Sequence, residues 1–533
     1  MKAMVPQRRA SSLVGVKAMV PQRRASIAKA HRMKVARAVL ADGQQSKVPP
    51  RLAEIPDNGD DVLHVASMRG ELADNARPSP FCIDNNGGVG FVDDNDRVRI
   101  HALEYASSES AGSSCQEGIF VNDESCIPIP PYAVRSGPRK TIYYDPTTVR
   151  AAIVTCGGLC PGLNDVVRQL VLSLGDYGVS IDARKQGGAS HDPTDSTVLG
   201  IYYGFAGFYD ADTPPDHLTR EDVDGIQLRG GTMLGTSRGG SDMPRIVEQI
   251  ERMHINMLFV VGGNGGHAGA NAIHAELQQK GITCSVIGVP KSIDNDILVI
   301  DKCFGFDTAV EQAVSAIYSA KVEASSARNG VGVVKLMGRQ SGFIAMAASM
   351  ASGEVDLCLI PEIPFEMDGA MHHIERIVRK RGHAVVVVAE GAGQDILDGH
   401  HETDASGNPV LKDVGPYLRD AIKAHFKEIG DRADVKYIDP SYIIRAAPTI
   451  PSDKIYCQIL AQGAVHAAFA GVTAATVGLV NGHYVWLPIE TVIQAPRVVD
   501  PRGRMWGRLL AQTKQPAWGT LESANPVGTV DYN

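Results

Sequence analysis

Long apolar runs are missing from this 533-residue sequence. No stretch reaches the roughly 18 residues that a membrane-crossing helix needs, and the longest candidate, Ala467–Val480, is too short and carries two threonines. Cysteine is sparse as well: nine are spread along the chain and none falls in a CxxC pair. That excludes a disulfide framework and the usual zinc spacing, and leaves mostly reduced thiols as the expectation. An excess of positive charge is also absent, since 52 Lys and Arg face 60 Asp and Glu for a net charge of −8. The chain as a whole therefore has no general attraction to nucleic acid or to an anionic membrane, and an anionic ligand must be held by a local site. With 44% hydrophobic and 21% charged residues, the composition excludes a wholly disordered protein, and the length suggests about three domain-sized units.

Acidic residues are missing from one segment altogether. Residues 1–41 contain no Asp or Glu but many Arg and Lys, and the run KAMVPQRRAS occurs twice, from Lys2 to Ser11 and from Lys17 to Ser26. No apolar core of a secretory signal accompanies them, so the segment reads as a transit-like leader for organelle import, plastid or mitochondrion. Residues 42–140, rich in Asp, Asn, Gly, Ser and Pro, are expected to form an extension of low order. Cys115 and Cys126 lie there, as two inert thiols or as a disulfide that would leave any core undisturbed.

Beyond Thr141 the texture changes to short apolar runs, each closed by glycines or polar residues: Ala151–Thr155, Met257–Val261, Ser285–Val289, Gly332–Leu336 and Ala384–Ala389. A helical pattern over Leu163–Leu174 follows the first, and such alternation predicts an α/β fold with a mainly parallel sheet. Ligands of such folds bind at the carboxyl ends of the strands, so the loops there are where chemistry is expected.

The first loop holds Gly157 and Gly158, able to let backbone approach a ligand or simply to allow strand–helix packing. In the second, Arg229–Gly240, small hydroxyl residues and Arg238 sit among glycines, as a phosphate-binding surface or a solvated basic loop. The third delivers Gly262, Gly263, Gly265 and Gly266 from a strand straight into a helix, a cradle for polyphosphate in backbone amides. It is not a Walker A loop, and the chain has no GxGxxG dinucleotide fingerprint. Next, Lys291–Asp296 sets Asp294 and Asp296 two residues apart beside Lys291 and Ser292, so that one carboxylate can act as base and the other serve a metal. Arg339 stands at another strand end, suited to stabilising charge on a transferring phosphoryl group. Glu390 closes a further strand, and Tyr442 with Arg445 could grip a sugar phosphate.

Taken in order, GGLCPGLN, GGTMLGTSRGG, GGNGG, PKSIDND, MGRQSGFIA, AEGAG and IDPSYIIR resemble the 6-phosphofructokinase family over roughly residues 140–500. The combination is most similar to the ATP-dependent enzymes of plants and algae, and the basic leader favours the plastid form, with mitochondrion or cytoplasm as alternatives. The resemblance implies two similar three-layer, doubly wound α/β domains interleaved within residues 141–500, with the active site in the cleft between them, and a tail over 501–533. It implies ATP-dependent conversion of fructose 6-phosphate to fructose 1,6-bisphosphate with Mg2+, in a homo-oligomer, a tetramer being favoured. Carried over by motif, Asp294 would be the base that takes the proton of the sugar 1-hydroxyl, with Ser292 and Ile293 beside it. Arg339 would stabilise the transferring phosphoryl, Met337 and Gly338 would shape the sugar pocket, and Glu390 would accept from a sugar hydroxyl. Tyr442, Ile443, Ile444 and Arg445 would bind the sugar phosphate. Gly158, Arg238, Gly239, Gly263, Asn264, Gly265 and Gly266 would surround ATP, while Asn264 and Asp296 would hold magnesium.

Two departures from the family pattern matter. Asn264 replaces the aspartate of GGDG, keeping a carbonyl oxygen for the metal but bringing no charge, which opens a weakly active or regulatory subunit as an alternative. Ser292 replaces threonine and loses a methyl. Lys291 is shared with pyrophosphate-dependent relatives, so a pyrophosphate donor is the other alternative. Gly265 favours ATP, because those relatives resemble GGDD here and an aspartate would fill the space an α-phosphate needs.

Overall fold

The structure, a computed structural model, describes residues 61–81, 90–102, 118–122, 125–182, 195–240, 242–397 and 410–518. The leader 1–41 and Cys115 lie outside the described residues, as does the tail beyond 518.

The apolar runs become strands because nearly every residue in them is buried, which suits parallel strands covered on both faces. Arg150–Thr155, Met257–Gly262 and Ser285–Pro290 are buried at every position. They stand side by side and parallel, with Phe259 opposite both Ile153 and Ile287. Thr197–Ile201 extends this set beyond Arg150–Thr155, and Ala475–Val480 extends it beyond Ser285–Pro290. Alternate residues feed opposite layers, as the two-residue period of a strand requires. Ile153, Phe259 and Ile287 pack with Val167, Leu170 and Leu460, from the helices Leu163–Tyr177 and Pro451–Phe469. Val154, Leu258 and Val286 pack with Ile246, Ile250 and Ile273, from the helices Met243–Arg252 and Asn264–Lys280.

A second, wholly parallel sheet of four strands runs Leu357–Leu359, His383–Ala389, Gly330–Leu336, Asp434–Ile438. Helices Phe306–Ser325 and Phe343–Ser352 cover one face, and Met367–Arg381 with Val414–Glu428 the other. The architecture is thus α/β with two three-layer parts, and the first sheet is the larger, with ten strands against four.

Two stretches are more ordered than the sequence suggests. Within the expected low-order extension, Tyr132–Arg135 pairs antiparallel with His483–Pro488 at the side of the large sheet, and Val62–Leu63 pairs with Tyr132–Arg135 in turn. Arg139 fastens this edge: it is buried, lies 4.2 Å over the Trp486 ring, and binds Asp94 at 2.8 Å. These strands are only two to five residues long, too short to show a period. In the tail, the helix Arg504–Thr513 packs Trp506 and Leu509 against the small part's core. The side chain of Gln515 donates to and accepts from the Cys358 backbone at 2.9 and 2.8 Å. Among the described cysteines six are free and buried, whereas Cys126, in the hairpin Gly118–Asn122/Ser125–Pro128, is disulfide-bonded.

Candidate active site

Both sheets end their parallel strands at one pocket of about 650 Å3. From the large sheet come Gly157–Leu159, Gly263–Gly266 and Lys291–Asp296; from the small one come Arg339, Gln340 and Glu390, with Arg445 from the helix Ser441–Ala446. Four cations (Arg238, Lys291, Arg339, Arg445) therefore face three carboxylates (Asp294, Asp296, Glu390) inside a chain whose net charge is negative. A local anion site is the result.

The glycine loops are shaped by close approach. Lys291 N–H donates to Gly262 O at 2.9 Å, and a Cβ on Gly262 would come within 2.9 Å of Gly266 Cα. Gly263 then precedes the helix Asn264–Lys280, whose first amides lack intrahelical partners and open on the pocket. A Cβ on Gly265, by contrast, would meet nothing within 4 Å. Gly338 has φ +133°, and a Cβ there would lie 2.4 Å from Ser341 O, so the Met337–Gly342 turn needs glycine.

Lys291–Asp296 is held from several sides. Ser292 Oγ donates to Asp296 Oδ1, Asn264 Nδ2 donates to Asp296 O at 3.3 Å, and Ser341 Oγ donates to Asp294 O at 3.2 Å. Asn295 takes a left-handed φ of 60°, and its side-chain oxygen accepts from Cys303 N–H at 2.7 Å. Asp294 is half-buried, and its Oδ1, itself out of reach of solvent, has no partner. Burial first, then the negative charges of Asp296 and Glu390, push its carboxyl up to about 7, against the opposing pull of Arg445 and the Arg339 backbone N–H. Burial raises Asp296 as well.

The oxygen of the Asn264 amide is buried and has no partner. Among the described residues no three His, Cys, Asp or Glu side chains are arranged to hold a metal by themselves. Asp296 nevertheless fits a hard cation such as magnesium, which binds through one or two carboxylates and takes its other oxygens from phosphates and water; the Asn264 oxygen would join it on a flip of the amide, whose Nδ2 faces Asp296 Oδ2 at 3.5 Å.

Of the residues singled out from sequence, Gly158, Arg238, Gly239, Gly263, Asn264, Gly265, Gly266, Ser292, Ile293, Asp294, Asp296, Arg339, Glu390 and Arg445 line the pocket. Met337, Gly338, Tyr442, Ile443 and Ile444 do not: Met337 and Ile444 are core residues, whereas Tyr442 and Ile443 are 82% and 69% exposed. Phe205 and Met243 form an apolar wall that sequence reading missed, because each belongs to an element with no motif of its own. Glu362, behind the pocket, was missed too. Its oxygens accept from Gly342 N–H at 2.9 and 3.0 Å and from Val499 N–H at 2.7 Å.

A pair of three-layer α/β parts with glycine loops and clustered cations at their shared strand ends defines the class of open-sheet α/β proteins that bind anionic ligands in that crevice. Residues 150–468 match the phosphofructokinase family, and the chain belongs to that family. It is 51% identical over 430 residues to ATP-dependent 6-phosphofructokinase 5, chloroplastic, of Arabidopsis thaliana, covering 80% of this chain and 76% of that one. It is also 44% identical to an ATP-dependent 6-phosphofructokinase of Amycolatopsis methanolica, with 86% and 96% covered. Among solved structures, a pyrophosphate-dependent phosphofructokinase from Marinobacter aquaeolei shares the fold with a TM-score of 0.53 at 22% identity, over 66% of this chain and 85% of that one.

Proposed function

We propose that this chain is an ATP-dependent 6-phosphofructokinase that moves the γ-phosphoryl of ATP to the 1-hydroxyl of fructose 6-phosphate in the plastid stroma, as part of a homo-oligomer, a tetramer being favoured by the resemblance. The observation that carries the reading is the pairing, across one pocket, of an unobstructed helix N-terminus at Gly265 with the unpartnered carboxyl oxygen of Asp294. The ATP donor and the plastid location are supported by the relatives' descriptions.

Asp294 is the base. Its unpartnered Oδ1 is free to accept the hydroxyl proton as the bond to phosphorus forms, and its raised pKa makes it a stronger acceptor than an ordinary carboxylate. Arg339, Arg238 and the first amides of the helix Asn264–Lys280 face the space where the phosphates would lie and stabilise their charge. Arg445 and Glu390, which both act electrostatically on Asp294, serve the sugar phosphate and a sugar hydroxyl. Magnesium, held by Asp296 and the Asn264 oxygen, would neutralise phosphate charge and orient the phosphates.

The test is the rate of fructose 6-phosphate phosphorylation by the pure full-length chain, with ATP and with pyrophosphate. Turnover with ATP is expected, reduced about 10²- to 10⁴-fold in Asp294→Asn. Turnover with pyrophosphate alone would reverse the donor. A second reading, a regulatory subunit, has one specific support in the uncharged Asn264, and it wins if the wild type binds ATP without turnover while Asn264→Asp turns over.

A further inference from the structure

Behind the reaction site lies a second cavity, of about 520 Å3, within the size range of small-ligand sites. Its walls come from three places far apart in sequence: the segment around His101 with the hairpin at Ile119, the turn Val299–Asp301 with the helix start at Phe343, and the strap Arg497–Trp506. In its wall Arg497 is half-buried, and burial pulls its pKa down against the opposing influence of Cys303 and Asp301. Among the described residues this guanidinium has no carboxylate in ion-pair contact. It donates through Nη1 to the carbonyls of Ile300 and Asp301 at 3.0 and 2.8 Å and lies 4.8 Å over the Phe343 ring. Of the two carboxylates of the cavity wall, Asp301 accepts from Gly482 N–H at 3.4 Å and feels the charge of Arg497, and Asp500 accepts from Arg502 N–H at 2.9 Å. Two further nitrogens of the wall, His101 Nε2 and Trp506 Nε1, are buried with no hydrogen-bond partner. A half-buried guanidinium whose nearby carboxylate, Asp301, makes no direct ion pair with it, beside two ring nitrogens without partners, leaves hydrogen-bonding capacity that an anion would satisfy.

We propose that this cavity binds a small organic anion, a phosphate or carboxylate on an apolar body, with Arg497 meeting the charge, Trp506 Nε1 donating to it, and Phe343, Met346 and Phe120 packing on the body. The site communicates with the reaction centre through one residue. Arg497 N–H donates to Asp296 O at 2.8 Å, and Ile297 bridges Pro496, so an anion that shifts Arg497 shifts the loop carrying Asp296. This link to magnesium rests on the reading of Asp296 as a metal ligand; the binding itself does not.

Phenyl phosphate and benzoate serve as probes of the full chain, with saturating ADP and fructose 1,6-bisphosphate present to occupy the reaction site. Tryptophan emission and calorimetry are followed together. A saturable change is expected, weakened at least about tenfold in Arg497→Gln, as for loss of a charge-assisted contact. In Trp506→Phe the optical change disappears and calorimetric affinity falls about fivefold, while the tighter of the two probes tells phosphate from carboxylate. Should Arg497→Gln fail to fold, Ile119→Trp, which fills the cavity from the hairpin side, is expected to abolish binding in its place. No binding to wild type under these conditions, or equal binding by wild type and both Arg497→Gln and Ile119→Trp, overturns the site. Binding that leaves the half-saturating magnesium concentration unchanged overturns the link to Asp296.

Discussion

Two adjacent residues at the start of one helix, Asn264 and Gly265, line the pocket where metal and nucleotide are proposed to bind. Gly265 has open space where a side chain would go, so Gly265→Asp fits without displacing anything and adds a carboxylate to a helix N-terminus, where negative charge is welcome. The same charge repels nucleotide phosphate. The expected outcome is an unchanged or slightly raised Tm with KM for ATP raised at least about tenfold, read by steady-state kinetics and thermal unfolding. Asn264→Asp acts in the opposite direction on the metal, placing a second charge beside Asp296. It should lower the half-saturating magnesium concentration severalfold, measured by titrating magnesium at fixed ATP. Both residues were legible in the sequence because a run of glycines closing a strand has few uses besides approach to a ligand. Tyr442 and Ile444 show the limit of such reading. They follow the same motif as Arg445, yet helical geometry turns one outward and the other into the core, and only Arg445 reaches the pocket.

Glu362 shows how elements hold one another. Standing just past the strand Leu357–Leu359, it receives the first free amide of the helix Phe343–Ser352 and one from the C-terminal strap, so three elements meet at one carboxyl group. Glu362→Ala would orphan both amides and cost about 1–3 kcal/mol, with kcat falling because the turn carrying Arg339 is released. Urea unfolding and kinetics on the same preparation check this. Burial pushes the Glu362 carboxyl up to about 7 from the ordinary 4.5. Its bound proton therefore stabilises the folded chain fully below pH 4.5, and that contribution is lost as pH rises through 7. Glu362→Gln cannot titrate, so the stability of wild type relative to Glu362→Gln should fall between pH 5 and pH 8 and stay level above. No sequence signal marks Glu362, since a Pro-Glu pair after a short strand is an ordinary turn. Its role exists only once the strap arrives from 137 residues further along.

Across the whole chain, the parallel strands and their loops were readable because each is a local run of Val, Ile and Leu with a polar or glycine stop. What was not readable is the long-range closure: short strands before residue 140 and a helix after residue 500 gain meaning only from distant partners. A chain ended at residue 500 would lose Trp506, Leu509 and the Gln515 clamp, and should unfold at least about 5 °C lower than one ended at residue 518, by differential scanning calorimetry. The large sheet carries the same dependence into synthesis. Ala475–Val480 and His483–Pro488 sit between Ser285–Pro290 and Tyr132–Arg135, joined by a tight turn at Asn481 and Gly482, both with positive φ. On the ribosome, the strands flanking that slot emerge long before the hairpin that fills it, a delay of roughly 10–40 s at typical translation rates. Until that hairpin docks, whether during synthesis or after import, two bare edges are exposed to other unfolded chains, so this protein should depend on a chaperone while it folds more than its finished form would suggest.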